Sequence, residues 1–263
     1  MSANKPITVP NKAANTCKVC HARELCLSSC LNEDELNRFD DIIGDRASLN
    51  RGECLFMAGN KIKSLFILHS GSVKTYVESA DGDMQITGFH FSGDIIGIHG
   101  IENSMHGDTV EALETSSVCE LRFTSLDEIT TVFPKLQDQL MQYIFREMCH
   151  EQTMMLVLGK MSADRRLAHF ILDISARLSE HGLSATNINL TMTRHDIANY
   201  LGLAVETVSR LLTRFQKMGI ITVQRRLLTI FDIDALQDIY DQNESHIPKA
   251  SIGKLNAANH MRL

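Results

Sequence analysis

At Pro134 the hydrophobic pattern of this chain changes period, and that change requires two differently built halves. Between about residues 50 and 125, apolar residues alternate in short runs: Ser64 to His69, Ser72 to Val77, Gln85 to Phe91 and Val118 to Phe123. The runs are punctuated by Gly52, Gly59, Gly71, Gly82, Gly88, Gly93 and Gly97. Asp81-Gly82, set between two alternating runs, is a hairpin turn. Many short strands with regular turns predict a sandwich or barrel. Beyond Pro134, Met141, Ile144, Met148, Glu151, Met155 and Leu158 recur at intervals of three and four. That is heptad spacing on one long helix, with a single carboxylate in an otherwise apolar seam, and it predicts a partner helix. Packing of this helix on its own barrel is the alternative.

Flanking segments extend the pattern. Asn32-Glu33-Asp34-Glu35 opens a short helix over about 31–42, with Leu36 and Phe39 on one face. Residues 163–180 repeat an amphipathic stripe (Leu167, Phe170, Ile171, Ile174, Leu178), and Gly182 lies just past its end. Residues 188–231 hold two short helices and a β-hairpin. The class is α+β. Residues 1–16 and the tail beyond about 243 are polar and predicted to be mobile.

Thr193 to Leu212 reads as a helix-turn-helix. Thr193 caps the first helix, with Asp196 three residues on in an acidic variant of the capping box. Ile197, Ala198 and Leu201 face a core, and Gly202 permits the tight turn. Val208, Leu211 and Leu212 turn the second helix inward. Val205, Glu206, Ser209 and Arg210 are left outward, with Glu206 and Arg210 spaced to brace each other. An Arg guanidinium matches guanine O6 and N7, and a Glu carboxylate accepts from cytosine N4. A plain surface helix would carry the same pair. The hairpin that follows, Ile220 to Phe231, tips that balance, because Arg225-Arg226 near its tip suit phosphate contact.

Charge supports the same end of the chain. The net charge is −6, yet Lys160 to Ile230 carries ten Lys/Arg against five Asp/Glu. A basic module on an acidic protein fits nucleic-acid binding by one end, and with the helix-turn-helix the expected partner is double-stranded DNA.

Seven cysteines are present, and Cys17-x2-Cys20-x5-Cys26 puts three thiols in ten residues. A loop with this spacing folds around a soft metal centre once a fourth ligand arrives. Spacing alone leaves iron–sulfur and zinc open, with His21 and Cys30 as further zinc candidates. Such a cluster belongs to a reducing compartment. The longest apolar runs, such as Ile95 to Ile98, are too short to span a bilayer, and Met1 to Thr16 lacks the apolar core of a secretory signal. The expected location is cytoplasmic, away from membranes.

Gln85-Ile86-Thr87-Gly88-Phe89-His90, Ala112-Leu113-Glu114-Thr115, Val118-Cys119-Glu120, Leu190-Thr191-Met192-Thr193-Arg194 and the run Asn199 to Leu211 together resemble the CRP/FNR family. The resemblance is to its FNR (fumarate and nitrate reduction regulator) branch and covers roughly residues 17–240. It implies an N-terminal arm with the cysteines (1–30), a cyclic-nucleotide-binding-like, cupin-like β-roll sensor domain (31–133), a dimerisation helix (134–160), a winged helix-turn-helix (161–242) and a tail (243–263). It implies an oxygen-labile [4Fe–4S] cluster on Cys17, Cys20, Cys26 and Cys119, and a homodimer while the cluster is intact. It implies base reading of palindromic TTGAT-type half-sites by Glu206, Ser209 and Arg210. It further implies a surface for RNA polymerase near the Ser79-Ala80-Asp81-Gly82-Asp83 turn. His21 departs from the small polar residue usual after the second ligand, and the tail matches nothing in the family. Cys30, Cys54 and Cys149 fall outside the ligand pattern and are expected to be buried or spare.

Rival readings share the fold. A cyclic-nucleotide regulator needs an arginine for the phosphate, and Gly93 to Gly100 with Met105 to Asp108 offers none. A haem sensor or a zinc-stabilised DNA-binding protein would use the same scaffold. The sequence holds no Gly-rich phosphate loop, nucleophile–base constellation or paired acids, so an enzyme is not expected.

Overall fold

The computed structural model describes residues 17–100, 104–122, 133–180 and 182–241. The expected mobility of 1–16 and 243–263, and the strand end at Phe123, lie outside the described residues. None of the described helices is long and apolar enough to cross a membrane.

Two four-stranded antiparallel sheets face each other. One runs in the order β1-β8-β3-β6, with β1 at Ile43–Leu49, β3 at Ser64–Ser70, β6 at Ile95–Ile96 and β8 at Ser116–Arg122. The other runs β2-β7-β4-β5, with β2 at Cys54–Phe56, β4 at Ser72–Glu78, β5 at Met84–Phe91 and β7 at Thr109–Ala112. This is the expected β-roll. Sequence alternation located four strands well, whereas β1, β2, β6 and β7 are short or irregular and carry no clean period-two signal. The Ser79 to Asp83 turn joins β4 to β5 as the Asp-Gly pair foretold.

Alternation also decides what each face holds. Leu68 and Val118 point into the space between the sheets, beside Val73, Val110 and Ala112. Their neighbours Leu65, Ile67 and Leu121 point the other way, into a second core shared with the arm and the first helix. That helix, α1 at Glu33–Ile42, opens with a full capping box between Asn32 and Glu35 and buries Leu36 and Phe39.

A long helix, α2 at Pro134–Lys160, starts with proline at its first turn, buries Leu136 and Tyr143 in the core shared by the arm and the β-roll, and buries Met154 and Val157 in the core dominated by the C-terminal helices. The Tyr143 hydroxyl donates to the Ile95 carbonyl (3.0 Å) and accepts from the Ile95 amide (3.1 Å). The opposite face stays apolar and open: Met141, Phe145, Met148 and Met155 are 43%, 57%, 50% and 67% exposed. Of the expected seam, Ile144 and Leu158 are half-buried on the chain's own body, and Glu151 is exposed. Phe145, absent from that seam, lies on the open face.

The C-terminal unit packs α3 (Ala163–Glu180), α4 (Arg194–Leu201), α5 (Val205–Lys217) and α6 (Ile233–Asp241) on a small sheet of order β10-β11-β9. Its strands are β9 at Asn187–Asn189, β10 at Ile221–Gln224 and β11 at Leu227–Ile230. β9 adds a third strand to the expected hairpin. The core of this unit continues into the β-roll through Tyr76, Ile86, Phe89 and Leu113.

Candidate DNA-reading surface and cysteine site

The helix-turn-helix forms as its caps dictate. Thr193 Oγ1 accepts from the Asp196 amide (3.1 Å), while Asp196 Oδ2 accepts from the Thr193 amide (2.8 Å). Gly202 then takes a left-handed φ of 60°, which lets α4 end and α5 begin within three residues. Ile197, Ala198, Leu201, Val208 and Leu212 are buried, as patterning requires. Leu211 is half-buried. Val205, expected on the outer face, is half-buried and packs against the core, because it opens α5 directly over the turn.

Glu206 and Arg210 are exposed and Ser209 is half-exposed, all on one face of α5. Among the described residues neither Glu206 nor Arg210 is ion-paired, so the expected brace between them is not formed and both side chains are available to a ligand. Arg194 at the start of α4 donates instead to Ser209 Oγ (3.4 Å). A groove beside the helix is lined by Ser209, Arg210, Thr213, Arg214 and Lys217. Sequence reasoning stopped at Arg210, although the spacing of Thr213, Arg214 and Lys217 from it puts all three on that face. At the hairpin tip Arg225 and Arg226 are both exposed, with Arg225 at a φ of 58°. Left-handed backbone at a β-branch-free residue is the usual cost of so tight a turn.

The cysteine arm is a series of 3-10 turns, Cys17–Val19, Arg23–Leu25 and Leu27–Cys30. The Cys17 amide donates to Asp40 Oδ1 of α1 (2.7 Å), which anchors one end. In the middle, the arm passes so close to the β5–β6 turn that a Cβ on Gly93 would stand 2.8 Å from Leu25 Cβ. Gly93, with a φ of +97°, therefore allows both the turn and the arm's approach. Leu27 and Leu31 bury the other end beside Leu136 and Tyr143 of α2.

Cys119 comes to the arm from the sheet. It lies across from Arg46 on β1 and Ile67 on β3. Because Val118 and Leu68 fill the sandwich, Cys119 must face outward, toward the core that holds Cys17 and Cys26. Burial first, then hydrogen bonding and the charge of Asp40, push the Cys17 thiol far up; Cys26 and Cys119 add to the same effect. Burial likewise raises Cys119 to about 11, with Cys26 and Cys20 contributing and Arg46 opposing. Burial raises Cys26 as well, with Cys20 adding to it. Cys17, Cys26 and Cys119 are thus each raised in part by the charge of another thiol of the set. Still, among the described residues no three His, Cys, Asp or Glu side chains converge tightly enough to hold a single metal ion. Cys30 lies apart, with its thiol on the Leu27 carbonyl (3.7 Å). Cys54, on β2, and Cys149 are exposed, not buried.

His21, next to Cys20, meets the ring of His69 on β3 edge-on at 4.5 Å between centroids. Burial and the charge of Arg46 hold His69 down near 4, so it is neutral at physiological pH.

A cavity between the β-roll and α2 is lined by Thr75, His90, His99, Asp108, Glu147 and Glu151 among others. Its polar wall is acidic and imidazole-rich. His99 Nε2 lies 2.8 Å from Glu151 Oε1, and its Nδ1 lies 3.6 Å from Asp108 Oδ2. The bond to Asp108, against the effect of burial, raises His99 to about 9. Glu151 therefore carries a cationic partner from its own chain.

Comparison with known proteins agrees with this layout. Residues 165–239 match the family described as Crp-like helix-turn-helix domain, and residues 46–131 match Cyclic nucleotide-binding domain. The chain is 45% identical over 231 residues to the "Anaerobic regulatory protein" of Pasteurella multocida, covering 88% of this chain and 85% of that one. It is 44% identical over 223 residues to the "Fumarate and nitrate reduction regulatory protein" of Yersinia pestis, covering 85% and 89%. Among solved structures, FixK2 from Bradyrhizobium japonicum superposes with a TM-score of 0.67 at 28% identity, over 74% of this chain and 96% of that one.

Proposed function

Because the chain belongs to the CRP/FNR family, whose members are transcription regulators and not enzymes, we propose that it controls anaerobic gene expression in response to oxygen. In this reading it binds palindromic TTGAT-type DNA as a homodimer while Cys17, Cys20, Cys26 and Cys119 hold a [4Fe–4S] cluster. One observation carries it: strand alternation turns Cys119 out of the sandwich and toward the core that holds Cys17 and Cys26 of the arm.

The donor set fits the group. Four soft thiols are the usual complement of an iron–sulfur cluster, and the Asp40 carboxylate beside them is already engaged by the Cys17 amide. Burial makes the thiolates of Cys17, Cys26 and Cys119 costly unless a positive centre compensates them. When bound, such a cluster supplies iron–sulfide chemistry that oxygen disrupts.

The protein's own contribution is mechanical and electrostatic. The four thiolates tie the arm to β8. The arm in turn packs Leu27 and Leu31 against Leu136 and Tyr143, so holding the arm steadies the first half of α2. The open face of α2, with Met141, Phe145, Met148 and Met155, is the surface on which a second copy docks. Glu206, Ser209 and Arg210 read base edges, and Arg225 and Arg226 contact phosphate. The exposed Ser79 to Asp83 turn is a surface for RNA polymerase. Carboxylates in the cavity under α2 repel a cyclic phosphate, which supports a regulator that does not use one.

Metal and sulfide analysis of anaerobically purified protein tests this. About four irons and four sulfides per chain are expected. Cys119→Ser loses them and Cys30→Ser keeps them. Zinc in place of iron, or full iron in Cys119→Ser, overturns the ligand assignment.

A further inference from the structure

The Gln85-Ile86 motif and Asn199 meet. β5 is the edge of its sheet, so its outward amides and carbonyls have no strand to pair with. Asn199, on the first helix of the helix-turn-helix, fills that edge with its carboxamide. Its Oδ1 accepts from the Ile86 amide (2.6 Å) and its Nδ2 donates to the Met84 carbonyl (2.7 Å). Gln85 returns the contact, donating from Nε2 to the Asn199 carbonyl (2.9 Å). Three hydrogen bonds between two adjacent segments form a clasp with a fixed register, because an amide can satisfy a donor and an acceptor at once only in one place. The clasp sits over an apolar contact, the Phe89 and Tyr200 rings at 5.1 Å between centroids.

We infer that Asn199, with Gln85 opposite it, is a positioning residue for DNA recognition. Together with the Lys74–Asp196 and Arg177–Asp94 pairs it fixes where the helix-turn-helix stands on the sensor domain, and as the contact that ties this helix to the β5 edge it tunes which half-site spacing the dimer accepts. This rests on the proposed dimeric reading of a two-half-site operator. In such a dimer each reading helix is carried by its own β-roll, and the distance between the two is only as well defined as each attachment. Apolar contacts such as Phe89–Tyr200 tolerate small rotations, whereas bidentate hydrogen bonds do not. Neither Asn199 nor Gln85 lies on the outward face of α5, so losing the clasp leaves base reading untouched.

The experiment uses the full chain, purified without oxygen, and duplexes with two TTGAT half-sites at the natural separation or with one base pair added or removed between them. A fourth duplex carries one base change inside a half-site. The parent is expected to discriminate strongly on both counts. Asn199→Ala and, independently, Gln85→Ala are expected to lose about three- to tenfold of the discrimination between spacings. Their discrimination against the altered half-site is expected to match the parent's. Unchanged spacing preference in both folded variants overturns the inference, as does equal loss of spacing and base preference, which would mark a general structural role. A parent that shows no spacing preference at all overturns the dimeric reading together with it, and so separates the two failures.

Discussion

At the scale of single residues, the reading face is defined by what does not pair. Arg210 and Glu206 are free of each other and exposed, so a base edge meets no competing salt bridge. Arg210→Ala is expected to cost roughly 1–3 kcal/mol on a cognate half-site and to relax base preference there. Arg225→Ala or Arg226→Ala should weaken all sequences alike and flatten the dependence on salt. Titrating each variant against cognate and scrambled duplexes at several salt concentrations separates the two classes. His99 is the opposite case, a residue defined by its partners. Its pKa is raised from about 6.5 to about 9, so folding gains most when it is protonated. That stabilisation is fully present below about pH 6.5 and is lost as pH rises through about 9. Denaturant unfolding across this window should show a decline that His99→Gln lacks. An identical slope in the variant would mean that the bonds to Asp108 and Glu151 contribute nothing.

At the scale of elements, α2 carries two jobs on two faces. Leu136, Tyr143, Met154 and Val157 hold it to the chain's own body, while Met141, Phe145, Met148 and Met155 remain open. Glu151 stands at the margin between them and is matched by His99. A second copy approaching this face must still dehydrate that pair, which disfavours association unless something else supports the helix. Glu151→Ala should therefore dimerise in air at concentrations where the parent is monomeric. His99→Gln, which leaves the carboxylate unmatched, should weaken the anaerobic dimer, and Met148→Glu should abolish it. Sedimentation velocity with and without oxygen reads all three. A monomeric Glu151→Ala in air would show that the seam is not what restrains assembly.

At the scale of the whole molecule, the sensor and the DNA-reading unit share a core and are pinned by ion pairs. Arg177 of α3 donates to Asp94 Oδ2 (2.6 Å) and to the Phe89 carbonyl (2.8 Å) of the β-roll. Lys74 of β4 meets Asp196 of α4 at 3.0 Å, both largely buried. Removing one partner of a buried pair strands the other, at about 3–5 kcal/mol. Arg177→Met is expected to lower stability by about this amount and to split one calorimetric transition into two. A single transition with unchanged midpoint would mean that the domains are held by their apolar contact alone.

Periodicity and caps are local, and what depends on them was legible in the sequence. The β-rich half, the long helix after Pro134, the Asn32 and Thr193 capping boxes and the outward Glu206 and Arg210 all follow from residues within one or two turns of each other. The cysteine spacing raised the expectation of a soft metal site, and only the resemblance pointed to Cys119. What only the tertiary structure decided depends on residues distant in sequence. Alternation says that Cys119 and Val118 face opposite ways, but which of them faces the arm depends on the second sheet covering Val118. Heptad spacing could not tell that Ile144 and Leu158 lean on their own domain while Phe145 does not, since a helix has no marked front until something packs on its back. Glu151 looked unpartnered because His99 is 52 residues away, and Asn199 looked like one polar position of a helix because the strand edge it completes is 113 residues away. Pairings of that range are fixed by the closing of the β-roll against two packed units, a geometry that no window along the chain contains.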